Sequence, residues 1–123
     1  MLRSVSSSFV NGTVSTSEAA RLLDQAGYYL ELRGQYEQAA PLYDYALTIR
    51  EKVLGVEHPD TAQSLARLGW LYHLQGQHEK AELVSQHALA IREKVLGPEH
   101  PNTATSLNNL ALLYNNQGQY EKT

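Results

Sequence analysis

The sequence predicts an all-α fold: a right-handed α-α superhelix, or solenoid, of antiparallel helix pairs with about five helices in all. Three observations predict it. The heptapeptide IREKVLG at Ile49–Gly55 recurs letter for letter at Ile91–Gly97, a period of 42 residues, and self-similarity at such a length marks a stacked-repeat architecture. Within each period apolar residues return every three or four positions, the spacing of one helix face. Glycines and prolines fall between these stretches, where helices stop and start.

The same offset superposes Glu57-His58-Pro59 on Glu99-His100-Pro101, and Gly34-Gln35 on Gly76-Gln77 and Gly118-Gln119. It carries back to a more diverged first unit, where Leu23, Gly27 and Gly34 stand at the places of Leu65, Gly69 and Gly76. The repeat domain therefore spans 17–123, as units at about 18–59 and 60–101 and an incomplete third at about 102–123, after a flexible leader at 1–16. In the second unit Leu65, Leu68, Leu71 and Tyr72 form the apolar stripe of a first helix, Asp60 to Leu74. Pro59 pre-sets φ at its start, and Asp60, like Asn102 in the third unit, is a candidate to accept an orphan N–H. Gly76 and Gly118 tolerate the left-handed conformation that closes a helix, so a tight turn is expected after each. The second helix of the unit runs from about Gln77 to Val95 with Ala81, Val84, Ala88, Ile91 and Val95 in phase, and its earlier copy runs from Gln35 to Val53. Pro41 is expected to bend or loosen the start of that copy. Ala39, Ala46, Ala81 and Ala88 keep side chains short where helices approach, while Leu42, Tyr43, Tyr45 and Leu89 fill the wider gaps.

In the third unit the first helix is expected to end near Asn116, with a turn at Gln117-Gly118-Gln119, and the chain stops as a second helix should begin. Leu107, Leu110, Leu113 and Tyr114 then lack that helix as a partner. An uncovered apolar stripe is expected either in a piece of a longer repeat array or in a chain that self-associates, as a homodimer or higher oligomer through the open C-terminal end. Of the two, self-association is the expectation taken to the test.

Composition excludes several classes of function. The chain has 123 residues with Lys+Arg 10 against Asp+Glu 13, for a formal net charge of -3. Neither a basic face for nucleic acid nor one for an anionic membrane surface follows from that balance, so neither partner is expected. There is no Cys, hence no disulfide framework or thiolate metal site, which suits a cytoplasmic protein. The serine-rich leader reads as a frayed terminus, with an organellar or secretory address as the alternative. The sequon at Asn11 means little without a secretion signal. His58 and His100 belong to the repeated junction and read as structural, whereas His73 and His78 fall on different helices. No HExxH, glycine-rich phosphate loop, nucleophile triad or calcium loop is present. Glu79 and Glu82 read as a solvated helix face. No enzyme activity, catalytic residue, metal or cofactor is expected.

These residues resemble the tetratricopeptide repeat, in the 42-residue form found in kinesin light chain and in arrays attached to NB-ARC-type signalling proteins. The family pattern L-x-x-L-G-x-x-Y appears as Leu65, Leu68, Gly69 and Tyr72, followed by small residues at Ala81 and Ala88, and in the third unit as Leu107, Leu110, Ala111 and Tyr114. The first unit departs from it, with Leu23, Ala26, Gly27 and Leu30 before Ala39, Tyr43 and Ala46.

The resemblance implies a scaffold that docks a peptide or partner domain in a concave groove lined by the first helices. Carried over position by position, it places in that groove Arg21, Asp24, Gln25, Tyr28 and Glu31, then Gln63, Ala66, Arg67, Trp70 and His73, then Thr105, Asn108, Asn109, Leu112 and Asn115. Tyr28, Trp70 and Leu112 share one position and would form a ladder for a partner's apolar side chains. The alternative is that Tyr28 and Trp70 pack against neighbouring helices. Asn108 and Asn109 suit a peptide backbone or are simply solvated. The family's clamp for acidic peptide ends uses paired Lys and Asn; here only Arg21 and Arg67 supply charge, beside Asp24 and Glu31, and such a clamp is not expected. The alternative function is a structural or oligomerising segment of a larger repeat-containing scaffold or signalling protein.

Overall fold

The computed structural model describes residues 16–122, with side chains described as far as Asn116. Expectations for residues 1–15 lie outside the described residues. Within them five helices follow one another: α1 (Thr16–Leu32), α2 (Tyr36–Val53), α3 (Pro59–Leu74), α4 (His78–Val95) and α5 (Pro101–Lys122). They form the all-α solenoid that the repeat predicts, with α1 packed on α2 and α3 on α4 as antiparallel pairs. The pairs stack through α2 on α3, α5 lies against α4, and α3 touches α5 lightly.

The core follows from the apolar spacing. Ala39 and Tyr43 of α2 meet Leu68 and Leu71 of α3. Ala62 and Leu65 of α3 meet Ala88 and Ile91 of α4, and Ala81 of α4 meets Leu110 and Leu113 of α5. Each cluster bridges neighbouring helices, so the core is a chain of small contacts rather than one centre. The four alanines expected at close approaches are all fully buried. Gly27 is closer still, since a Cβ there would stand 2.6 Å from the Tyr43 ring. Tyr43 fills the gap assigned to it, but Tyr45, two residues on, faces solvent. On a helix such a step turns a side chain far from its neighbour's face.

The junctions between units repeat in atomic detail. Gly55 has φ 98° and Gly97 φ 94°, a left-handed conformation that glycine adopts without strain. The Thr61 hydroxyl donates to the Gly55 carbonyl at 2.7 Å, and that of Thr103 to the Gly97 carbonyl at 2.8 Å. The cap differs from the expectation. Helix α3 begins at Pro59, and the Asp60 N–H donates to His58 Nδ1 at 3.0 Å; the Asn102 N–H does the same to His100 Nδ1 at 3.0 Å. Proline at the first helical position moves the cap one residue earlier, and the neutral imidazole supplies the acceptor.

Gly34 and Gly76 close α1 and α3 with φ 75° and 78°, as the sequence predicts for Gly76. Gly118 does not repeat this. The backbone of α5 stays helical through Gln117-Gly118-Gln119 to Lys122. In the earlier units a following helix packs back and selects the turn, whereas no helix follows α5 among the described residues. Helical hydrogen bonding then continues through a glycine at a cost of only about 1 kcal/mol. Helix α2 likewise runs unbroken past Pro41.

Candidate functional site

Helices α1, α3 and α5 contribute to one open depression of about 210 Å³. Tyr28 and Glu31 come from α1, Gln63, Ala66, Arg67 and Trp70 from α3, and Thr105 and Asn109 from α5; Arg92 of α4 completes the lining. All of these except Arg92 are positions that the sequence assigns to the groove, and the fold brings them together. The remaining assigned positions stand apart from this lining. Arg21 is exposed and pairs with Glu18 at 3.4 Å. Gln25 is exposed on α1, and Asn108, Leu112 and Asn115 are exposed on α5. His73 packs its ring 5.0 Å from that of Trp70, and its Nε2 lies 3.2 Å from the Asn116 carboxamide nitrogen.

Asp24 is buried, and its carboxylate accepts a hydrogen bond from Arg50 of α2. Arg50 also donates to the Ser64 hydroxyl at 2.8 Å, tying α1, α2 and α3 together. Burial raises the Asp24 carboxyl above its ordinary range, with the Arg50 guanidinium and then that of Arg67 opposing it. The Arg67 Nε sits 3.9 Å from the same carboxylate, and its guanidinium lies 5.6 Å from the centre of the Tyr28 ring. Tyr28 remains 46% exposed, so the contact leaves much of it free to meet a partner. The Tyr43 phenol donates to Glu31 at 2.9 Å, and burial together with that carboxylate pushes the phenol well up.

Arg50 and Arg92 were not singled out by reasoning from the sequence. Both lie in the repeated IREKVLG segment, whose charged letters resemble a solvated helix face. Yet both are only 7% exposed. The available signal was an arginine falling one turn after a buried alanine, Arg50 after Ala46 and Arg92 after Ala88.

Of the four residues assigned to self-association, Leu110 and Leu113 are buried against α4. Leu107 and Tyr114 are exposed, the Tyr114 hydroxyl accepting from the Gln86 side chain at 2.8 Å. Among the described residues no group of three or more His, Asp or Glu is placed to hold a metal ion. No helix among them is long and apolar enough to cross a membrane.

Stacked helix pairs with the first helices sharing one surface define a helical-repeat scaffold. A tetratricopeptide-repeat family model matches residues 18–94 and 84–122, and the chain belongs to that family. No curated protein sequence matches it. Among solved structures, BtubC (BKLC) of P. vanneervenii superposes with a TM-score of 0.78 at 21% identity, covering 84% of this chain and 41% of that one. A candidate kinesin light chain of Podosopora anserina, built of nearly identical TPR-like repeats, gives 0.76 at 29% identity, covering 87% and 50%. A point variant of that protein gives 0.75, also at 29% identity, covering 86% and 50%. The chain thus spans half or less of the length of each of these structures.

Proposed function

We propose that the chain is a protein-interaction module that holds a peptide or partner domain against the surface shared by α1, α3 and α5. One observation carries the reading: a single open depression combines Tyr28 and Trp70 with the polar side chains of Gln63, Arg67 and Asn109. Aromatic surface contributes apolar contact area, and carboxamides can donate to and accept from a peptide backbone at once. Arg21, Asn108, Leu112 and Asn115 extend the surface beyond that depression, and His73 borders it. The repeats are of the kinesin light chain kind in this reading, supported by the 42-residue period and by the 29% identity to the Podosopora anserina protein.

Affinity capture with crosslinking, using the wild-type chain and the Tyr28→Ala and Trp70→Ala variants, tests the reading. Wild type is expected to retain specific partners that both variants lose while keeping their helical circular dichroism. Retention of the same partners by both variants would remove the groove from the account. A variant that loses its helical signal identifies the ring as packing rather than docking surface.

A second reading is favoured by Leu107 and Tyr114, exposed one above the other along α5. It makes the chain a structural segment that joins copies of itself through this helix. Light scattering is then expected to show mass rising with concentration. A clean monomer at tens of micromolar excludes it.

A further inference from the structure

The 42-residue repeat brings two arginines to equivalent places and gives them different partners. Arg50 bonds to Ser64 at 2.8 Å and to the carboxylate of Asp24. Arg92 bonds to Ser106 at the same 2.8 Å and to the Asn102 carbonyl at 3.3 Å, so the serine half of the arrangement is preserved. The carboxylate half is not. The position that Asp24 holds in the first unit is Ala66 in the second. Arg92 is 7% exposed, its Nε has no hydrogen-bond partner, and no ion pair joins it to a carboxylate among the described residues. Burial without a counter-charge pulls the guanidinium below its ordinary range. An uncompensated buried cation is costly, and here it lines the open depression beside Ala66 and Trp70. Next to Ala66 and Trp70, a gap of about 10 Å³ enclosed also by Ser85, Ala88, Ser106 and Asn109 is at the lower limit for holding one water.

We infer that Arg92 is a recognition site for the carboxylate side chain of an Asp or Glu on the bound partner segment, which takes the place beside Ala66 that Asp24 occupies in the first unit. This rests on the groove reading above and names the chemistry of its occupant. Charge in the depression agrees: Arg67 and Arg92 line it against Glu31 alone, and Glu31 already accepts from Tyr43. A side chain reaching in from a polypeptide fits the setting, because the depression is open and continues onto Tyr28 and Trp70, which would hold the flanking residues. A guanidinium that is desolvated and already held by Ser106 is pre-organised for a charge-assisted pair.

The test follows the Arg92 Nε–H and Trp70 indole N–H resonances of the full chain at fixed ionic strength. Three probes are titrated: a blocked pentapeptide with one central Glu among alanines and leucines, its Gln twin, and acetate. The Glu peptide is expected to move both resonances saturably. The Gln twin should bind at least about tenfold more weakly, as befits loss of a hydrogen bond to a charged group. Ala66→Asp should fill the site from within, raise thermal stability and abolish the Arg92 response; Ala66→Asn supplies an acceptor without charge and keeps the test open if the Asp variant fails to fold. Equal responses to Glu and Gln peptides overturn the inference, as does an unchanged Glu titration in either Ala66 variant. Acetate matching the peptide molecule for molecule overturns the partner side chain as occupant. Movement of Trp70 without Arg92 removes the carboxylate site and leaves the groove standing, whereas silence of both resonances removes the site and counts against the groove as well.

Discussion

At the residue scale, the first unit is held by a buried ion pair whose worth lies in its completeness. Asp24, Arg50 and Ser64 join three helices, and deleting the acid would leave a buried guanidinium uncompensated. Asp24→Ala is therefore expected to cost about 3–5 kcal/mol, read from urea unfolding. A loss under about 1 kcal/mol would mean that water reaches Arg50 in the variant. His73 gives a pH prediction. Burial first, and the neighbouring charge of His78 second, lower its pKa below the ordinary value of about 6.5. Below that value the unfolded chain takes up a proton more readily than the folded one, so stability rises with pH across the window between the folded and unfolded values and falls as pH drops through it. Thermal melts between about pH 5 and 7.5 should show this fall, and His73→Gln should reduce it; an identical profile in the variant excludes His73 as its source. These polar details were the least legible part of the sequence. IREKVLG is written identically in both units, and identical letters concealed that Arg50 has an acid opposite it while Arg92 has an alanine.

At the element scale, legibility was high where periodicity carried the signal. The ends of α2 and α4 at Val53 and Val95 coincide with those read from the repeat, because each is followed by the same leucine and left-handed glycine. The caps and the last turn were read less well. Aspartate commonly caps helices, but Pro59 and Pro101 take the first helical position and leave capping to histidine. Gly118 stands in the same Gly-Gln-x-Glu pattern as Gly34 and Gly76, yet its turn depends on a helix packing back, a tertiary condition that local sequence does not contain. Helix spacing also makes a prediction. Alanine at position 27 gains helix propensity of about 1 kcal/mol, but its Cβ would press on a Tyr43 ring with no exposed surface. Over-packing of this kind costs about 1–3 kcal/mol, so Gly27→Ala is expected to lower the melting temperature. A higher one would show that α1 and α2 separate freely.

At the scale of the whole molecule, contacts run almost entirely between helices adjacent in sequence, with α3 and α5 the main further pair. Stability in such an arrangement is close to a sum of local terms. Gly27→Ala should therefore speed amide hydrogen exchange in α1 and α2 far more than in α4 and α5; equal acceleration throughout would show that the chain unfolds as a single unit. The solenoid itself was legible because the repeat states it twice. The proposed docking surface was legible only as a set of positions, eight of which, on three separate helices, meet in one depression. Which of the assigned positions are free was not, because Asp24 is withdrawn into the interior by Arg50, far away in sequence.

The two junctions share a left-handed glycine, a threonine bonded back to it and a histidine that starts the next helix. They lead into helices whose outward faces differ, with Trp70 on α3 at the place that Leu112 takes on α5. Spacing and orientation between units are thus set by the joints, independently of the surface each unit displays. Such a chain can gain or lose a whole period, or rewrite its display letter by letter, without refitting its neighbours. In this respect it resembles interchangeable shelving, in which the brackets are standard and only the contents change.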